Sequence, residues 1–349
     1  MKKYSFVVLV AVLLAACGSD TRLFQQAKLA TSKGNYTQAL ELYNQLIKQN
    51  PQHAAALTNR GLLWEMMPAK NEAEKAKNTR LAEQDYLRAL EANPNQPETY
   101  NNLGALSMQQ GNNGVAASYF SEAIARNPSY FRARLNRGIA YTKMGDLTQA
   151  QLDFAAAATL RPNDPALLYN RGLAYLEAGK FEAAEDSFSH AIAVQPNNAL
   201  LYVGRARALA KLGYPADAYD DLTQAITLKP DYALSYYYLG DLVYRNGDSD
   251  MGLGALVKAK ELAPKYAPAY DLMGDMLAMQ SPVEATANYM TALKLDPANA
   301  AKYQHKLELM KTQEGRYQLT TRRFFPQGRA YTAQGQRRVA LQQAQGAAN

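Results

Sequence analysis

The most regular chemistry in the 349-residue chain is a set of side-chain amides. Asn102, Asn136 and Asn170 fall 34 residues apart, and Asn59 stands 43 residues before the first of them. Each amide carries both a donor and an acceptor, so a row of them can pair with the backbone of an extended peptide irrespective of its sequence. Each also stands two residues before a glycine (Gly61, Gly104, Gly138 and Gly172), and that Asn-x-Gly pattern serves the fold equally well. Tyrosines add a second recognition chemistry. Tyr169 precedes Asn170, and Tyr236, Tyr237, Tyr238 and Tyr244 crowd one stretch, with Asp241 and Asp275 nearby. Tyrosine offers a large contact area at low entropic cost together with a hydroxyl, which suits protein recognition. Tyr236 is assigned to the core, and Tyr169, Tyr237 and Tyr244 to a peptide-binding surface.

Catalytic and metal chemistry is not encoded in any comparable pattern. His53, His190 and His305 are scattered, without cysteines or carboxylates at metal-ligand spacing around them. There is no Gly-x-Ser-x-Gly elbow, phosphate loop or dinucleotide fingerprint. The chain therefore reads as non-enzymatic, with no cofactor and no metal. The formal charge of +7 points toward nucleic acid only until it is located. Residues 298–349 carry nine lysines and arginines against Glu308 and Glu314, whereas the first 297 residues carry 29 of each sign. A nearly neutral body argues against a nucleic-acid partner.

The elements that must position the amides and tyrosines repeat every 34 residues. Pro94, Pro128, Pro162, Pro196, Pro230 and Pro264 mark the period. Gly104, Gly138, Gly172, Gly240 and Gly274 each follow such a proline by ten, and Ala116, Ala150, Ala184 and Ala218 follow Pro94, Pro128, Pro162 and Pro196 by 22. A fixed period of this length marks stacked helical hairpins, not a single globular core. In one unit, the stretch from Leu168 to Tyr175 begins a first helix and Gly179 ends it. Ala184, Phe188, Ala191 and Ile192 then line the inner face of a second helix, and Pro196 closes the unit. Gly172 and Ala184 lack bulk where the two helices cross. Between Gly61 and Ala82 there are nine extra residues, with a mixed-charge Lys/Glu run over 67–80. This insertion is expected to lengthen the turn or both helices beside it.

These positions resemble the tetratricopeptide repeat: a small residue at the eighth position, an aromatic at the eleventh, alanine at the twentieth, an aromatic at the twenty-fourth, alanine at the twenty-seventh and proline at the thirty-second. Gly138, Tyr141, Ala150, Phe154, Ala157 and Pro162 carry all of it, and Ala206, Leu209, Ala218, Leu222, Ala225 and Pro230 keep the spacing with softer residues. The resemblance implies an all-α fold, a right-handed superhelix (α-solenoid) of about eight helical hairpins over 20–297. It also implies a groove lined by the first helices, with Asn59, Asn102, Asn136, Asn170, Tyr169, Tyr237 and Tyr244 facing an extended peptide. A carboxylate clamp is not implied, because its lysine and asparagine slots hold Asn101, Leu135, Tyr169 and Val203, and Ala105, Ile139, Leu173 and Arg207. Arg60, Arg137, Arg171 and Arg205 occupy a slot that is usually leucine. They are expected to snorkel to the helix edge or to pair with acids on the neighbouring repeat.

The two ends read differently. Lys2 and Lys3 precede an apolar run, Phe6 to Ala16, that is shorter than the ~20 residues a bilayer span requires, so 1–16 is expected to be a signal peptide. Leu14-Ala15-Ala16-Cys17 is similar to the bacterial lipobox, which implies acylation of Cys17, with 17–19 as the lipidated N-terminus. Gly18 after the cysteine implies the outer membrane, periplasmic face. Residues 298–325 are expected to form one capping helix with Tyr303, Leu307 and Met310 on its packed face. Residues 326–349 read as a disordered basic tail. Arg322, Arg323, Arg329, Arg337 and Arg338 either contact peptidoglycan, anionic lipid or an acidic partner, or are merely solvated. The overall plan is similar to that of tetratricopeptide lipoproteins of the cell envelope. Pilotin-like proteins that support pilus or secretion machinery are one group, and scaffolds for peptidoglycan hydrolases or proteases the other. Either implies an adaptor binding one or more envelope proteins or extended peptides.

Overall fold

A small residue opposite a ring sets the geometry of most of the hairpins. In the computed structural model, which describes residues 20–321, a Cβ at Gly104 would sit 2.5 Å from the Phe120 ring, and one at Gly138 would sit 2.6 Å from Phe154. Gly61 with Tyr86 and Gly274 with Tyr289 repeat the arrangement at 2.5 and 2.6 Å. The rings of Tyr86, Phe120, Phe154, Phe188 and Tyr289 are wholly buried, and burying one such side chain contributes about 1.5–3 kcal/mol. Left-handed glycines make the turns between the two helices. Gly145 (φ 78°) and Gly213 (φ 82°) end their helices in a conformation a side chain would strain.

The chain divides into two compact units that meet in sequence at Pro162 and Asn163. The first holds four hairpins: α1 (20–32) with α2 (Tyr36–Gln49), α3 (Ala54–Met66) with α4 (Glu72–Ala92), α5 (Pro97–Gln109) with α6 (Asn113–Arg126), and α7 (Phe131–Met144) with α8 (Leu147–Leu160). The second holds α9 (Pro165–Glu177) with α10 (Phe181–Val194), α11 (Ala199–Leu212) with α12 (Pro215–Leu228), α13 (Ala233–Arg245) with α14 (Ser249–Leu262), and α15 (Ala267–Leu277) with α16 (Pro282–Leu295). A shorter pair follows, α17 (Ala300–Leu309) and α18 (Gln313–Thr321). Within the second unit, first helices touch first helices, α9 to α11 to α13 to α15, so they form one layer. Described residues are all helical or in turns, without a strand.

The nine-residue insertion lengthens one helix only. α4 runs for 21 residues where its counterparts have 14, and α3 keeps 13. Asn71 caps the extension, accepting from the Glu74 amide. The arginines expected to pair with a neighbouring repeat take an acid in their own hairpin instead. Arg137 donates from Nε and Nη2 to Asp153 at 2.7 Å each, Arg205 to Asp221 at 2.8 and 2.7 Å, and Arg60 to Asp85 at 2.7 and 2.6 Å. Their Nη1 atoms reach back to the preceding hairpin, to Ser121 (2.9 Å), Ser189 (3.2 Å) and Asn44 (2.7 Å). Each guanidinium thus ties three helices together, and its planar fork suits the side-on carboxylate. Arg171 meets Ser187 in place of an aspartate, at 3.3 Å.

The C-terminal part forms two helices where one was expected. The chain breaks over 310–312 and folds back, with Gly315 so close to the Leu309 carbonyl that a Cβ would sit 2.1 Å from it. Tyr303, Met310 and Leu319 are buried and Leu307 partly so, in one cluster with Leu272, Met276 and Tyr289 except for Tyr303. Lys306 donates to Asp271 at 2.6 Å and to Asp275 at 2.7 Å, and Lys302 reaches Asp271 at 2.7 Å. Asp275 also accepts from the Tyr289 hydroxyl at 2.7 Å.

Candidate protein-binding surface

The polar residues on the first helices of the first unit are largely engaged with one another. Thr58 and Thr99 share a buried 2.7 Å hydrogen bond that joins α3 to α5, and Asn136 donates to Asn101 at 3.0 Å, joining α5 to α7. Asn59 turns its amide back to the Ala55 carbonyl at 2.7 Å, and Asn102 is half-buried on α5. In the second unit Asn170 does as Asn59 does, donating to the Ala166 carbonyl at 2.8 Å. Three of the amides therefore each commit one hydrogen, and each retains a second hydrogen by its chemistry. Three of the four amides stand in the first unit and one in the second. Cys17 and the arginines beyond 321 lie outside the described residues, as does the stretch 326–349.

A denser constellation occupies the first-helix layer of the second unit. Tyr237 packs edge-on against Tyr238, centroids 5.0 Å apart, and against Tyr266 at 5.2 Å. The Arg207 guanidinium lies 5.1 Å from the centre of the Tyr238 ring, within reach of its negative face, and 3.8 Å from Glu177. Tyr169 is edge-on to Phe188 at 6.0 Å. Tyr169, Tyr232, Tyr237, Tyr238 and Tyr266 are all half-buried, with part of each ring open to solvent. Burial raises the phenols of Tyr169, Tyr232 and Tyr238 above the ordinary value and pushes Tyr266 up to about 12, against the pull of Arg207. These hydroxyls thus stay protonated at neutral pH, each able to donate and accept.

Tyr244 does not belong to that face. It is 5% exposed and packs with Leu256, Leu272 and Met276, so it supports the layer from behind and does not line a groove. Tyr236 is half-buried, not in the core. Arg207, Tyr238 and Tyr266 join this site, of which only Tyr238 stands in the tyrosine-rich stretch picked out in the sequence. The signal for the first two was present: Arg207 holds the ninth position of its repeat and Tyr238 the sixth, both inward positions in the repeat pattern. Tyr266 precedes its helix, where the 34-residue pattern specifies no function. His53 caps α3, its Nδ1 accepting from the Ala56 amide at 3.1 Å, and His190 is exposed beside Asp186.

This architecture defines a helical-hairpin interaction scaffold, and comparison identifies the class. Tetratricopeptide repeat models match residues 24–76, 71–131, 106–165 and 203–267, and another tetratricopeptide repeat model matches 165–198. The chain belongs to the tetratricopeptide repeat family. No curated protein matches it closely. Among solved structures, a tetratricopeptide repeat protein from Parabacteroides merdae is 20% identical with a TM-score of 0.58, covering 73% of this chain and 98% of its own. PilW, described as a widely conserved type IV pilus biogenesis factor, is 21% identical with a TM-score of 0.56, covering 64% of this chain and 98% of its own. PilF of Pseudomonas aeruginosa is 16% identical with a TM-score of 0.50, covering 60% and 95%. At these identities the likeness is one of fold.

Proposed function

We propose that the chain is a non-enzymatic adaptor of the bacterial envelope that holds an extended segment of a partner protein on the first-helix layer of its second unit, in support of pilus or secretion machinery. The observation that carries this reading is the open cluster of tyrosines around Arg207. Tyrosine and arginine are the side chains that dominate binding energy where they are packed but accessible. The fold shared with PilW and PilF supports the pilus assignment. Within each unit the first-helix asparagines, Asn59, Asn102 and Asn136 in the first and Asn170 in the second, enter as backbone-pairing groups without sequence preference. In vivo crosslinking followed by purification is the test. Changing Arg207 and Tyr238 together to alanine is expected to cut recovery of the crosslinked partner about tenfold or more with helical content retained. Changing Asn102, Asn136 and Asn170 together should weaken capture by about 0.5–1.5 kcal/mol for each hydrogen bond lost. Undiminished recovery by the Arg207/Tyr238 variant would overturn the assignment of the surface, and turnover of an envelope substrate by the purified chain would overturn the adaptor reading.

Anchoring is proposed to come from acylation of Cys17 on the periplasmic face of the outer membrane, since Leu14-Ala15-Ala16 before it supplies the small residues a lipoprotein peptidase accepts. The tail arginines from 322 onward are proposed to add a salt-sensitive contact with peptidoglycan or anionic lipid. Cys17→Ser is expected to abolish labelling by a fatty-acid probe and to change the protein's fractionation. Labelling that persists in this variant would overturn the anchor.

A further inference from the structure

The sixth hairpin breaks the rule by which the others fill their cores. In the second to fifth and eighth hairpins a glycine at the eighth position faces an aromatic ring at the twenty-fourth, as with Gly138 and Phe154 or Gly172 and Phe188, and in the first Ala27 takes the glycine's place beside Tyr43. The seventh hairpin also lacks the ring, but there the backbones close up. A Cβ at Gly240 would meet the Gly252 carbonyl at 3.1 Å, and one at Gly252 would meet the Gly240 carbonyl at 3.2 Å. The sixth has neither device. Leu222 replaces the ring, and Ala206 carries a methyl where a glycine would allow close approach. Four residues beyond Ala206 stands Ala210, where most other hairpins place a larger side chain such as Met108, Thr142, Leu176 or Tyr244 and the eighth also has an alanine, Ala278. Two smaller side chains, Leu222 and Ala210, and a methyl at Ala206 that holds the helices apart leave space at one level.

That space is an open cleft of about 200 Å³ between α11 and α13. Its floor is Ala206, Leu222 and Leu242, each buried, and Ala210 and the Tyr238 ring flank it. Arg207, Lys211 and Arg245 stand at its rim against a single carboxylate, Asp241. Arg245 lies 2.9 Å from Asp241, and Arg207 is held between Tyr238 and Glu177, while Lys211 is exposed. The rim keeps a positive excess even when Glu177 is counted. An apolar floor under a cationic rim selects an apolar group with an anion beside it. A lysine or arginine neighbour would meet like charge.

We infer that the cleft between α11 and α13 is the specificity pocket of the adaptor, taking one large apolar side chain of an extended partner segment whose adjacent aspartate or glutamate lies against Lys211 and Arg207. The inference rests on the reading above that the second unit holds an extended segment, and adds which segment it holds. Tyr238 and Tyr237 continue from the cleft toward Tyr266, so the segment runs along the first-helix layer with its apolar residue anchored at the α11–α13 step. Burying one such side chain in place of water is worth enough to fix register, which backbone pairing alone cannot do.

The test uses the full-length protein in detergent, panned against a phage-displayed library of random peptides, with affinities of selected synthetic peptides measured by fluorescence polarisation. Selected peptides are expected to share a leucine, methionine, isoleucine or phenylalanine next to an acidic residue. Ala210→Leu plugs the cleft from its wall and suits a helix. It should weaken binding about tenfold or more, the equivalent of one well-buried apolar contact. Leu222→Phe restores the ring that most other hairpins carry and should do the same from the floor. Lys211→Glu lies on the surface, so its loss of binding, together with a flattened salt dependence, reads the charge term without disturbing the core. Circular dichroism checks that each variant is folded. Peptides that bind the wild type and the plugged variants equally, or a selection that favours basic neighbours, would overturn the cleft while leaving the adaptor reading in place. A library yielding no binder would overturn both.

Discussion

Ending the chain after Asn299 is expected to destabilise the second unit by on the order of 5 kcal/mol relative to a chain ending at Thr321. Three buried side chains leave with the last two helices: Tyr303 at 1% exposure, Met310 at 7% and Leu319 at 7%. At about 1.5–3 kcal/mol each they supply the larger part of the loss. The rest comes from charge. Asp271 and Asp275 are 5% and 1% exposed, and the Lys302 and Lys306 ammonium groups that neutralise them both come from α17. Without these ammonium groups the two carboxylates either stay buried, Asp275 still accepting from the Tyr289 hydroxyl, or drag α15 toward solvent, and partial rehydration keeps the electrostatic share below what full burial would cost. Hydrogen exchange should show the consequence spreading through α15 and α16 before α9 and α10, because neighbouring repeats stabilise one another in sequence. Equal melting of the two chains, with unchanged protection in α15, would show that the final hairpin is not a cap.

This cap shows where legibility in the sequence ended. Tyr303 and Met310 carried a helical spacing that marked a packed face, and both are buried. In the sequence Lys302 and Lys306 lie in the expected capping helix and count only toward the basic excess of 298–349, because charge counted along a sequence cannot reveal that Asp271 and Asp275 face it across a helix layer. The fold itself was legible because its cause is local: a glycine, an aromatic, an alanine and a proline recur at one period, and each specifies a contact within its own hairpin. The candidate surface depends instead on what neighbouring first helices bring side by side. Arg207 and Tyr238 are 31 residues apart and meet as cation and ring, whereas Tyr244, also in the tyrosine-rich stretch, rotates into the core. Six residues along a helix turn a side chain to a different face, so proximity in a tyrosine-rich run did not mean a shared surface.

The arginine clamps give the second large expectation. Arg137→Ala is expected to cost about 3–5 kcal/mol, because Asp153 is 3% exposed and would keep its charge with no cation to meet it. Ser121, at the other end of the same guanidinium, would lose its bond as well, loosening α6 from α7. Replacing the pair together, Arg137→Met with Asp153→Leu, should recover most of that loss, since a packed apolar pair avoids desolvating two charges. The sequence places a natural control one hairpin on. Arg171 occupies the same helix position but donates to Ser187 at 3.3 Å, a neutral acceptor at the long end of hydrogen-bond range. Its removal leaves no buried charge behind, so Arg171→Ala should cost no more than about 1 kcal/mol. Local hydrogen exchange is the appropriate measurement, because repeat arrays need not unfold in one step. Amides of α7 and α8 should lose protection in the first variant, and amides of α9 and α10 should keep theirs in the second. Arginine removal that cost the same at both positions would mean that the guanidinium contributes through its aliphatic stem, and that the buried carboxylate at Asp153 is held neutral or solvated by other means.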